Sequence, residues 1–195
     1  MTPTEIVLLV ARTLESLDVP YVLVGSLASS ARGVPRATND ADMVVELRPE
    51  HVAPLIDHLS TAFYVDADAA RRAIARGRSF NAIHLDTGFK IDLFVPPPGG
   101  FGLQQVARRV RETALAGGEP AELEIATAED VVLGKLLWFR AGGMTSERQW
   151  QDVIGVVRVQ QEALALDYLR AWATTLEIAD LLERALAEGL RPTTS

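Results

Sequence analysis

Asp40 and Asp42 stand two residues apart in the run Asp40-Ala-Asp42-Met-Val-Val-Glu46-Leu47. Ala41, Met43, Val45 and Leu47 alternate as the apolar set of a strand, so Asp40, Asp42 and Glu46 lie on its other face. Two carboxylates at that spacing are close enough to share a divalent cation, and an oxygen-only donor set suits Mg²⁺. A third acid repeats the arrangement. In Phe89-Lys-Ile-Asp-Leu-Phe-Val95, the residues Phe89, Ile91, Leu93 and Val95 form the apolar set, and Asp92 points away from it together with Lys90. An ion pair between Lys90 and Asp92 is the simpler alternative for that acid. Further upstream, Gly25-Ser26 ends the apolar run Tyr21 to Val24 and opens a small-residue stretch to Arg32 that reads as helical. Glycine there lets the backbone come close to a ligand, and the unpaired amides of a first helical turn suit an anion.

The elements that must position these residues follow from the same patterns. Thr2-Pro3-Thr4-Glu5 carries the signals of a helix start, with Ile6, Leu9, Val10 and Leu14 as its buried side. The Gly-Ser strand and helix and the Asp strand come next, then a helix over 49–60, a short strand near 63–65 and a helix over 68–76. Phe80 to Leu85 and Phe89 to Val95 flank Asp86-Thr87-Gly88, which predicts a hairpin. Pro96-Pro97-Pro98-Gly99-Gly100 ends it, and 122–126 is a candidate strand. Beyond Thr127 the pattern is helical. Thr127-Ala-Glu-Asp130 and Ser146-Glu-Arg-Gln149 open two helices, and two more are expected over 166–174 and 177–188. The expected organisation is a core over 1–126 and a helical region over 127–195.

Composition narrows the function classes. No cysteine is present, which excludes disulfides, thiolate zinc sites and a cysteine nucleophile. No apolar run is long enough for a membrane span, and the first residues lack a basic leader, so a cytoplasmic location is expected. A net charge of −7 argues against a protein that coats nucleic acid without specificity. Arginines cluster at Arg71, Arg72, Arg76 and Arg78 and again at Arg108, Arg109 and Arg111, both read as solvated helix faces. His84 is expected on a strand surface, and Trp138, Trp150 and Trp172 in the helical core.

Gly25-Ser26, Asp40-x-Asp42 and Asp92 on a later strand together resemble the nucleotidyltransferase fold of the DNA polymerase β superfamily. Glu129-Asp130-Val-Val-Leu-Gly-Lys135-Leu-Leu-Trp-Phe-Arg140, followed by Ser146-Glu-Arg148-Gln-Trp150-Gln-Asp152, is similar to the helical part of the AbiE/MenT-type nucleotidyltransferases, several of which are toxins of toxin–antitoxin pairs. The resemblance implies an α/β (α+β) fold, a mixed sheet with flanking helices and a C-terminal helical bundle. It implies transfer of a nucleoside monophosphate from a nucleoside triphosphate, with Asp40, Asp42 and Asp92 as Mg²⁺ ligands, Asp92 completing a second metal site and taking the proton of the acceptor hydroxyl. Gly25 and Ser26 would hold phosphates and Lys135 would contact them. Asp152 is a late acid that orients Lys135 or the acceptor, and Arg36, Arg140 and Arg148 are phosphate or acceptor contacts. The implied acceptor is an RNA, such as a tRNA 3′ end, with an antitoxin protein as a partner. A small-molecule acceptor of the aminoglycoside kind, or a non-catalytic nucleotide-binding or regulatory protein, are the alternatives. Asp152 and Arg148, four residues apart, could equally pair on a helix.

Overall fold

A computed structural model describes residues 1–191. Internal packing divides the chain into two units, one of residues 1–24 and 38–126, the other of residues 25–37 and those from Thr127 onward.

The first unit is built on one seven-stranded sheet. Its strands are β1 (Tyr21–Val24), β2 (Asp40–Val45), β3 (Phe63–Val65), β4 (Ser79–His84), β5 (Lys90–Phe94), β6 (Val110–Ala116) and β7 (Glu119–Ile125), in the spatial order β3-β4-β5-β2-β1-β7-β6. The sheet is mixed. β2 runs parallel to β5 and β1 parallel to β7, whereas β1–β2, β3–β4, β4–β5 and β6–β7 are antiparallel. Helices α1 (Pro3–Ser16), α3 (Val52–Leu59), α4 (Ala67–Arg76) and α5 (Phe101–Ala107) belong to this unit. The Thr2–Glu5 capping box opens α1, which packs on β2, β6 and β7. Its buried set is Ile6, Val7, Leu8, Val10, Ala11 and Leu14, with Leu8 in place of the expected Leu9. The core beneath includes Val22, Met43, Val45, Ile91 and Leu93, all almost fully buried. Their burial stabilises the sheet by about 1.5–3 kcal/mol per large side chain.

Two elements were not legible in the pattern. The chain forms α5 directly after the proline-glycine loop, and β6 pairs with the whole of β7 around a Gly117-Gly118 turn in which both glycines take positive φ. β6 is an edge strand with no buried residue, so it lacks the apolar alternation that marks a half-buried strand. The arginines at 108–111 are therefore not a helix face. Arg111 lies on β6 and bonds Glu124 across the hairpin at 2.9 Å. His84 is also not a surface residue. It is 2% exposed, packs edge-on against Phe63, and has Nδ1 2.9 Å from the Thr87 hydroxyl.

The second unit is helical, with α2 (Gly25–Arg32), α6 (Ala128–Ala141), α7 (Glu147–Gln160), α8 (Leu166–Thr175) and α9 (Ala179–Gly189). Thr127 and Ser146 cap α6 and α7 as their sequences require. α2 packs on α6 and α7, and α9 on α7 and α8. Gly33 passes so close to the backbone of α7 that a Cβ on it would stand 2.7 Å from the Val156 nitrogen. Trp150 is buried, whereas Trp138 is 55% exposed and does not join the core. No helix among the described residues is long and apolar enough to cross a membrane.

Candidate functional site

In the first unit, the parallel register of β2 and β5 sets Asp40 opposite Lys90 and Asp42 opposite Asp92. Residues opposite one another on paired strands point to the same face, so these four side chains share one side of the sheet. All four are half-buried. The Thr38 hydroxyl donates to Asp40 Oδ1 at 2.7 Å and fixes that carboxylate. The Lys90 ammonium lies 2.7 Å from Asp92 Oδ2, so the ion pair that the shared face allowed is formed. Its hydrogen bond to Asp92 raises the Lys90 amine above its ordinary value; partial burial opposes this, and the nearby Asp92, Asp40 and Asp42 charges add to the rise. Among the described residues, no three His, Cys, Asp or Glu side chains converge as a ready-made metal cage.

In the second unit, four predicted residues meet. Gly25 begins α2 at φ +63, a conformation that favours glycine, and turns the chain so that Ser26 heads the helix. The Ser26 hydroxyl oxygen accepts from Arg36 Nη2 at 2.6 Å and from Lys135 Nζ of α6 at 3.2 Å. Asp152 of α7 accepts Arg36 Nε on one oxygen at 2.8 Å, and on the other Arg36 Nη2 at 2.9 Å and Lys135 Nζ at 2.7 Å. This is a bidentate carboxylate–guanidinium pair with an ammonium added, a strong geometry. The side chains of Lys135 and Asp152 are 8% and 6% exposed. Burial works to raise the Asp152 carboxyl, but the hydrogen bonds from Arg36 and Lys135 outweigh it and hold the group below its ordinary 3.8. Two cations around one carboxylate leave the cluster a net positive charge beside the Ser26 hydroxyl. That combination is suited to an anion.

The remaining arginines lie elsewhere. Arg140 pairs with Asp180 of α9. Arg148 is exposed in the first turn of α7 and does not take up Asp152, whose oxygens go to Arg36 and Lys135. Two supporting residues carried too little signal to be singled out from the sequence. Thr38 is a short hydroxyl two residues before Asp40. Ser30, one turn along α2 from Ser26, accepts from the Arg36 backbone amide at 3.2 Å and so holds the base of that side chain.

The sequence matches no known protein family and no curated protein. The fold is similar to solved structures along nearly its full length. One is an antigenic nucleotidyltransferase-like protein from Paracoccidioides brasiliensis, at 15% identity and a TM-score of 0.53, covering 99% of this chain and 97% of that one. Another is the antibiotic-resistance factor ANT(2'')-Ia, at 15% identity and a TM-score of 0.55 over 94% of this chain and 98% of that one. A second structure of ANT(2'')-Ia, in complex with adenylyl-2''-tobramycin, gives 11% identity and a TM-score of 0.57 over 91% and 98% of the two chains. The chain has the nucleotidyltransferase fold.

Proposed function

We propose that this protein transfers a nucleoside monophosphate from a nucleoside triphosphate to an acceptor hydroxyl. The observation that carries the reading is the Asp42–Asp92 register, with Asp40 beside it, on adjacent parallel strands of a nucleotidyltransferase fold.

The carboxylates Asp40, Asp42 and Asp92 are the metal-facing set. Their donor chemistry fits Mg²⁺, which is held by one or two carboxylates together with substrate phosphates and water rather than by an all-protein cage. Asp40 and Asp42 would carry it. When bound, Mg²⁺ would neutralise triphosphate charge and polarise the α-phosphate. The rest falls to the chain's own residues. Within the second unit, Ser26, Arg36 and Lys135 would take an anionic phosphate group, with Gly25 allowing close approach and Asp152 holding both cations in place. The acceptor oxygen attacks the α-phosphorus, the bond from that phosphorus to the bridging oxygen breaks, and pyrophosphate leaves. The acceptor's proton passes to Asp92 Oδ1, since Lys90 holds Oδ2.

The acceptor is read as a small cationic molecule bearing hydroxyls. Four arginines of the two arginine-rich stretches pair with the protein's own acids, Arg71 with Asp68, Arg72 with Asp66, and Arg109 and Arg111 with Glu124. These pairs offset part of the basic charge that a polyanion would need, on a chain of net charge −7. An RNA acceptor, such as a tRNA 3′ end modified by the toxin of a toxin–antitoxin pair, is the second reading. The observation favouring it is that Lys135 and Asp152, two residues of the AbiE/MenT-like helical motif, bond to each other. Arg140 and Arg148 would then serve as acceptor contacts.

Incubation with each α-³²P-labelled triphosphate and Mg²⁺, with an aminoglycoside panel or total RNA, separates the readings. Label on an aminoglycoside, absent in Asp40→Asn/Asp42→Asn, is the expected result. Label in RNA alone would select the second reading. No label on either acceptor, with pyrophosphate never released, would reject transfer.

A further inference from the structure

Lys90 sits where a site for two divalent cations has no use for a fixed positive charge. Its Cα is opposite Asp40, its side chain shares the face of Asp42 and Asp92, and its ammonium reaches Asp92 Oδ2 at 2.7 Å. A lysine head is a compact point charge with three donors, so it can neutralise a carboxylate where a cation would otherwise sit. Electrostatic balance points the same way. One divalent cation and one ammonium match three carboxylates, whereas two divalent cations with the lysine would leave excess positive charge before any substrate arrives.

We propose that the Lys90 ammonium takes the place of a second divalent cation, so that the acid face holds a single metal ion at Asp40 and Asp42 while Lys90 holds Asp92. The inference rests on the metal-dependent reading above. Lys90 is thereby a positioning residue. It fixes one oxygen of Asp92 and turns the other towards the acceptor, and it sets how many cations the site accepts.

The test is Mn²⁺ alone, titrated into the full chain, with free Mn²⁺ followed by its electron paramagnetic resonance signal. Wild type is expected to bind one ion per chain, and Asp42→Asn to lose it. Lys90→Met removes the charge and keeps the stem, and is expected to bind a second ion. Its first ion should bind about tenfold more tightly, the scale of one nearby charge removed at a partly exposed site. Lys90→Arg, which keeps the charge, is expected to remain at one ion. If Lys90→Met fails to fold, Lys90→Gln replaces it with the same expectation. Two ions on wild type, or equal stoichiometry in wild type and Lys90→Met, would overturn the proposal and leave the metal reading standing. No Mn²⁺ on any of these proteins would overturn both.

Discussion

Lys135 and Asp152 meet at 2.7 Å with both side chains almost withdrawn from water, and Arg36 closes on the same carboxylate from a loop more than a hundred residues away. A buried pair of this kind is costly to assemble and costlier to break, because removing one partner leaves the other charge unpaired in a poorly solvated site.

Asp152→Ala should therefore destabilise the protein by about 3–5 kcal/mol in urea unfolding, since it strands Lys135 and Arg36 together. Lys135→Met should cost less, because Arg36 still satisfies the carboxylate through two hydrogen bonds. The reverse order would show that packing of the lysine stem outweighs the charge balance.

The same carboxylate gives stability a pH dependence of known sign. Its folded value lies below the ordinary 3.8, so its contribution is fully present above that value and is lost as pH falls through the lower folded one. The stability gap between wild type and Asp152→Asn should be constant from pH 7 down to about 5 and shrink below about 4. A gap that widened on acidification would mean that burial, not the hydrogen bonds, dominates at Asp152.

Gly33 tests the close approach of α2 to α7. A Cβ there would stand 2.7 Å from the Val156 nitrogen and 2.9 Å from the Gly155 carbonyl carbon, and helix backbone cannot move aside as a side chain can. Gly33→Ala should cost about 1–3 kcal/mol by thermal or urea unfolding. An alanine variant as stable as wild type would be inconsistent with this packing.

For the proposed reaction, Asp42→Asn should lower the transfer rate by about 10²–10³, the range for losing one well-placed electrostatic contact. Ser26→Ala should lower it by about tenfold, the scale of one hydrogen bond of roughly 1.4 kcal/mol. Asp42→Asn should unfold at the wild-type temperature, whereas Ser26→Ala should lose about 1–3 kcal/mol because its hydroxyl accepts from Arg36 and Lys135. Single-turnover rates beside melting curves would separate a chemical defect from a folding one.

The residues themselves determined a good part of this. Strict alternation in β2 and β5 placed Asp40, Asp42 and Asp92 off the apolar faces, because a strand's side chains have a period of two whatever the strand pairs with. The Thr127 and Ser146 caps and the Asp86-Thr87-Gly88 turn were equally local, and they formed. Only the tertiary structure decided which strand lies beside which. The parallel β2–β5 pairing joins segments fifty residues apart, and it alone sets Asp42 against Asp92 and Asp40 against Lys90. Asp152 illustrates the limit. A helical neighbour, Arg148, competes for it in sequence, yet the fold gives it Arg36 and Lys135, partners supplied by the packing of α2 and α7 on α6 and invisible to any local period. Edge strand β6, buried His84 and exposed Trp138 have the same cause: burial is a property of what packs against a residue, and that is settled by contacts distant in the chain.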